Sequence, residues 1–139
     1  MEFKEIQKDI FTVDSKYIFA HCISGDYILG KGIAVEFEKR YNLKDRLNRY
    51  GKNNHPDCIF INPVFNLVTK SKYWHKPTYE SIRESLELMK EMIIDMGIKY
   101  LAMPTIGCVL DRLKWEKVKE IIKLVFYNVD IEILICKTK

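Results

Sequence analysis

Residues Pro104-Thr-Ile-Gly-Cys-Val-Leu-Asp-Arg-Leu-Lys-Trp115 decide the fold. They follow the apolar run Tyr100 to Met103, which has strand length and stops at Pro104. They precede Trp115, Val118, Ile121, Ile122 and Val125, which recur at helical spacing. The stretch is therefore a strand, a glycine turn and a helix. A second junction of this kind lies far upstream, where Tyr17-Ile-Phe-Ala-His-Cys-Ile23 runs through Gly30-Lys-Gly-Ile-Ala34 into a helix over residues 33–41. Of six glycines, four (Gly25, Gly30, Gly32 and Gly107) fall in these two junctions. A glycine turn feeding a helix leaves backbone N–H groups pointing outward at the positive end of the helix dipole, a geometry that collects phosphate oxygens. Two such turns imply a ligand with more than one phosphate, held across the carboxyl edge of a sheet.

The remaining elements fit that sheet. Phe3 to Ile6 reads as a short edge strand. Tyr17 to Ile23 is continuously apolar, as expected of a strand covered on both faces. Cys58-Ile-Phe-Ile61 and Val64 to Val68, separated by Asn62-Pro63, read as two strands joined by a tight turn. Pro77-Thr78 opens the longest helix, whose stripe Ile82, Leu86, Met89 and Ile93 is ended by Gly97. Ile131 to Ile135 is a final strand. Val35 and Phe37 are core candidates of the first helix. Alternating strands and helices place the chain in the α/β class with a largely parallel sheet between helical layers.

With 139 residues, the chain is expected to be one domain over residues 1–139. The N-terminal residues Met1-Glu-Phe-Lys-Glu-Ile6 are too charged for a signal peptide, and no apolar run approaches the roughly 18 residues of a membrane span. Cys22, Cys58, Cys108 and Cys136 are scattered, without metal spacing, and point to a reducing, cytoplasmic compartment. The formal net charge of +4 weakly favours anionic partners. No membrane partner and a monomeric state are expected.

Two residues stand out as chemistry. Asp111 follows Gly107 by four residues in the loop before the last helix, where it either caps that helix or faces what the turns hold. Lys76 precedes Pro77, which disfavours helical geometry there and aims the lysine off the mouth of the long helix. Lys76 ends the run Lys70-Ser-Lys-Tyr-Trp-His-Lys76, whose interleaved cations and aromatics also suit nucleic acid, with rings stacking on bases and amines pairing with phosphates. His21 lies in an apolar run and reads first as a core histidine. His55 and His75 are isolated, so no metal site is expected.

Four motifs together resemble the macrodomain family, and within it the terminal ADP-ribose protein glycohydrolase branch. They are Ala20-His-Cys-Ile-Ser24, Gly30-Lys-Gly-Ile-Ala34, His75-Lys-Pro-Thr-Tyr-Glu80 and Met103 to Trp115, in the family's order over nearly the whole chain. The resemblance implies a three-layer α/β/α domain with a mixed, mostly parallel sheet that binds ADP-ribose in a cleft at the sheet's edge and needs no cofactor. On that resemblance Asp9 and Ile10 contact the adenine. Ser24 and the turn with Gly30, Gly32, Ile33 and Ala34 line the distal ribose and diphosphate, and His21 is counted among the ADP-ribose-binding residues. Thr105, Ile106, Gly107, Cys108, Val109 and Leu110 form the second phosphate loop. Lys76 corresponds to the lysine that attacks the anomeric carbon of the distal ribose, and Asp111 to the aspartate that helps resolve the resulting adduct.

The implied activity is removal of terminal mono-ADP-ribose from glutamate or aspartate esters of proteins, from O-acyl-ADP-ribose or from nucleic-acid bases. The alternative is a non-catalytic ADP-ribose reader, and a plain nucleotide-phosphate-binding regulator would leave Lys76 and Asp111 without a task. An amine nucleophile must be neutral, and a nearby carboxylate favours the ammonium, so Asp111 suits the role of proton acceptor better than that of activator. Two residues depart from the branch. Val109 stands where glycine is common, and Cys136 stands near where relatives offer an aromatic ring to the adenine.

Overall fold

A computed structural model describes residues 1–51, 56–108 and 112–138. His55, Val109, Leu110 and Asp111 therefore lie outside the described residues. The elements in chain order are β1 (Glu2–Gln7), β2 (Ile18–Ser24), α1 (Ile33–Tyr41), α2 (Leu43–Asn48), β3 (Asp57–Ile61), β4 (Val64–Lys70), α3 (Tyr79–Met96), β5 (Tyr100–Met103), α4 (Trp115–Val125) and β6 (Glu132–Lys137). The described strands form one sheet in the order β1-β6-β5-β2-β4-β3. Every neighbouring pair is parallel except β3 with β4, which the residues Asn62-Pro63 connect as an antiparallel hairpin.

Strand residues alternate between two cores, which explains their continuous apolarity. Leu101, Met103, Ile133 and Ile135 pack with Ile82, Leu86, Met89 and Ile93 of α3 and with Val118 and Ile122 of α4. Ala102, Leu134, Phe19 and Ile23 face the other way, onto Phe37 of α1 and onto Leu43 and Leu47 of α2. Helices thus cover both faces, giving the three-layer α/β/α arrangement with a mixed, mostly parallel sheet.

Local signals account for the element ends. Thr78 caps α3, its hydroxyl accepting from Ser81 N at 2.9 Å while Ser81 Oγ accepts from Thr78 N at 2.9 Å. Gly97 ends the helix in the left-handed region. One core expectation changes, and two further features emerge. The six-residue α2 was not anticipated, because its window is dominated by Lys44, Asp45, Arg46 and Arg49 and only two buried leucines, four residues apart, hold it to the sheet. Val35 is only half-buried and belongs to neither core, since Phe37 takes the inward position on α1. On the edge strand β1 the inward residues are Phe3 and Glu5, leaving Ile6 exposed.

Candidate functional site

In β2, β4, β5, β6 and β1 the parallel strands end at one edge, with Ser24, Lys70, Met103, Lys137 and Gln7 as their last residues. The segments that leave this edge carry the candidate residues. Along it come Asp9 and Ile10 after β1, Thr105 to Cys108 after β5, Gly30 to Ala34 after β2, and Lys76 after β4. Four strand spacings separate the two ends, about 19 Å at roughly 4.8 Å each.

A cleft of about 600 Å³ opens at the β1 end of this edge. Asp9, Ile10, Phe11, Gly32, Ile33, Pro104 and Cys136 contribute to its walls. Asp9 Oδ1 accepts from Phe11 N at 2.9 Å and so caps the short 3₁₀ turn Ile10–Thr12, which fixes the backbone at the cleft mouth. Cys136 is buried here and supplies no ring. An aromatic surface is nevertheless present, because Phe11 forms part of the wall with the Arg40 guanidinium 4.3 Å from its ring centroid.

Gly32 is the N-cap of α1 at φ 63° and ψ −147°, a conformation in which a side chain clashes, and no side chain caps the helix. Gly32 and Ile33 line the cleft, so the uncapped start of α1 lies at its wall, while Val35 N already donates to Gly32 O at 3.2 Å. Gly107 has φ 73°. A Cβ built there would stand 2.8 Å from Ile82 Cδ1, so the turn lies directly on α3. The described flanks of residues 109–111 are tied down: Leu113 N donates to Gly107 O at 2.8 Å, and Lys114 N donates to Tyr79 Oη at 3.0 Å.

No family model matches the sequence. ADP-ribose glycohydrolase OARD1 of Bos taurus is 40% identical over 133 residues, which cover 94% of this chain and 88% of that protein. The Homo sapiens OARD1 is 39% identical over the same shares. The chain belongs to the macrodomain family, in its ADP-ribose glycohydrolase branch. The macrodomain of Mycobacterium tuberculosis DarG matches with a TM-score of 0.86 and 19% identity, over 99% of this chain and 97% of that one. Thermosipho africanus DarTG, solved in complex with ADP-ribose, matches with a TM-score of 0.77 and 18% identity, over 98% of this chain and 41% of that one. At these identities the likeness is one of fold.

In this macrodomain Gly30, Gly32, Ile33 and Ala34 are accessible at the edge, as are Thr105, Gly107 and Cys108. Ile106 sends its side chain into the α3/α4 core, leaving only its backbone for a ligand. Ser24 is buried and its hydroxyl donates to Asp26 Oδ1 at 2.5 Å, so it braces the loop from inside. His21 corrects the ligand-lining expectation. It is wholly buried, with its ring against Phe37 at 4.3 Å between centroids and Nε2 2.7 Å from Asn66 Oδ1. Asn66 Nδ2 donates to the carbonyls of Ile59 and Val64, which turns Oδ1 toward the histidine and makes Nε2 the protonated nitrogen. Burial, only partly offset by this bond, pushes the imidazole down to about 4. His21 is thus a neutral core residue, as its apolar neighbours first suggested.

Lys76 is exposed in the segment between β4 and α3 and is not part of the cleft wall at the β1 end. Two features were missed from sequence. Tyr27 and Leu29, not Gly25 or Gly30, take the left-handed backbone in the β2–α1 loop, at φ 57° and 46°, with both side chains buried. Asp26 bonds to Ser24 at the end of β2 and to Tyr73 in the segment after β4. Its signal was faint: one acidic residue in a turn after a buried strand.

Proposed function

We propose that this macrodomain is an ADP-ribose glycohydrolase that removes terminal mono-ADP-ribose from a modified acceptor. The observation that carries the reading is the order of segments along one sheet edge. Asp9 and Ile10 would take the adenine end, the turns at Gly107 and Gly32 the diphosphate, and Lys76 the distal ribose. The ADP-ribose glycohydrolase activity of the OARD1 relatives and the ADP-ribose bound to the similarly folded DarTG support that ligand.

In this mechanism the Lys76 amine attacks C1″ of the distal ribose as the bond to the acceptor breaks, the acceptor leaving with the electron pair. Asp111 takes the proton released from the new ammonium and later assists water in freeing ADP-ribose from the lysyl adduct. The flanks of Asp111 are pinned at Tyr79, three residues after Lys76, which supports the pairing.

Among acceptors, the exposed rings of Tyr73 and Trp74 beside Lys70 and Lys72 favour a nucleic-acid base over a protein ester or an O-acyl group. The enzyme works as a monomer in a reducing compartment. No helix among the described residues is long and apolar enough to cross a membrane.

The test is release of ADP-ribose from ester- and base-linked substrates by Lys76→Ala and Asp111→Ala. Each is expected to lose about a thousandfold or more in turnover while Kd for ADP-ribose stays within about threefold. Full activity in both variants rules the mechanism out.

A further inference from the structure

Asp26 stands in the turn that follows β2, and its two carboxylate oxygens face different parts of the chain. Oδ1 accepts from Ser24 Oγ at 2.5 Å and from Ile28 N at 3.4 Å, within its own loop. Oδ2 accepts from Tyr73 N at 2.9 Å, 47 residues further on, in the segment that leaves β4. The β2–β4 ladder ends immediately before it, at the bond from Gly25 N to Lys70 O of 2.8 Å. Asp26 therefore continues the pairing of two strands beyond their last residues and grips the chain three residues before Lys76. Beyond that grip, His75 N donates to Lys72 O at 3.0 Å and closes the turn next to the lysine.

We infer that Asp26 is a positioning residue, which ties the segment carrying Lys76 to the loop leading from β2 into the Gly30–Ala34 turn and so aims the amine. This rests on the reading of Lys76 given above. Burial works against ionisation of Asp26, yet the bonds from Ser24, Tyr73 and Ile28 outweigh burial and hold the carboxyl below the usual range. An asparagine is a weaker anchor. With its one oxygen on Tyr73 N, its NH₂ faces Ile28 N, the Ser24 hydroxyl must turn to accept, and the charge that strengthens each bond is gone.

The experiment compares the intact chain with Asp26→Asn. Loss of one anchor misplaces the amine, so kcat should fall between about tenfold and a hundredfold. KM and the Kd for ADP-ribose should stay within about threefold. Amide hydrogen exchange at Tyr73 should quicken at least tenfold while that of Met89 in α3 is unchanged, a local effect that general destabilisation does not mimic. Should Asp26→Asn fail to fold, an amide-to-ester replacement at Tyr73 deletes only the N–H and must show the same fall in kcat. Wild-type kcat in either form, or a loss matching only the unfolded fraction, overturns the inference. Lys76→Ala in the same assay separates the two ideas. If it is inactive while Asp26→Asn is fully active, only the positioning role fails, and if it is active, the nucleophile reading fails and takes the inference with it.

Discussion

Trp115 Nε1 donates to Glu5 Oε1 at 2.8 Å, joining residues 110 apart in the chain. The last residue of the glycine-turn motif is thus a structural clasp: it opens α4 and fastens the helix to the edge strand β1. Lys119 adds a second grip, with its amine 3.0 Å from Glu5 Oε2.

The clasp has a pH signature. The Trp115 bond is the largest influence on Glu5, opposed by burial and joined by Lys119 and Lys137, and the carboxyl sits at about 2 instead of 4.5. A carboxyl lowered by folding stabilises fully above its unfolded value, and that contribution drains away as pH falls from about 4.5 toward 2. Trp115→Phe keeps an aromatic ring, though a smaller one, and deletes the donor. It is expected to cost about 1–2 kcal/mol at pH 7 and to flatten the loss of stability below pH 4.5, as read by urea unfolding from pH 7 to 2.5.

Gly107→Ala tests the second turn. Its φ of 73° and the 2.8 Å approach of a Cβ to Ile82 mean that the loop must lift from α3 or strain. A loss of about 1–3 kcal/mol in stability is expected. Calorimetry should also show at least a tenfold weaker Kd for ADP-ribose, and an unchanged Kd would remove this turn from the ligand site.

His21 predicts an acid weakness at milder pH than Glu5. Its folded pKa of about 4 lies below the ordinary 6.5, so the unfolded chain binds the proton first and stability falls as pH drops from about 6.5 toward 4. The full effect is about 3 kcal/mol. Unfolding free energies at pH 7.5, 6, 5 and 4 check it, and an NMR signal assigned to His21 that titrates near 6.5 in the folded protein contradicts it.

Trp74→Ala bears on the acceptor. The indole is 63% exposed beside Tyr73, and a base stacked there contributes about 1–3 kcal/mol. The variant is expected to slow release from ADP-ribosylated single-stranded DNA about tenfold and to leave an O-acyl-ADP-ribose substrate unaffected. The DNA reaction alone should weaken steeply with salt. Equal effects on both substrates would argue against a base-stacking acceptor.

Much of the fold was legible because the strong signals are local. The stripe of α3, its Thr78 cap and its Gly97 stop lie within one stretch of chain, and each acts through hydrogen bonds a few residues long. Strands buried on both faces announce themselves as nearly continuous apolar runs, as Ile18–Ser24 does with His21 and Ser24 as its polar residues. The helix α2 was not legible, since six residues carry too little periodicity and only the sheet beneath gives Leu43 and Leu47 somewhere to be buried.

By itself the chain's order of residues determined the two glycine junctions, the α/β class and the branch of macrodomains to which it belongs. Tertiary structure alone decided that His21 is core, that Tyr27 and Leu29 carry the left-handed backbone, that Asp26 bridges to Tyr73, and that Trp115 closes on Glu5. The reason is physical. Periodicity, capping and turn preferences act between near neighbours, whereas burial and hydrogen bonds between distant segments exist only once the sheet has brought those segments to one edge.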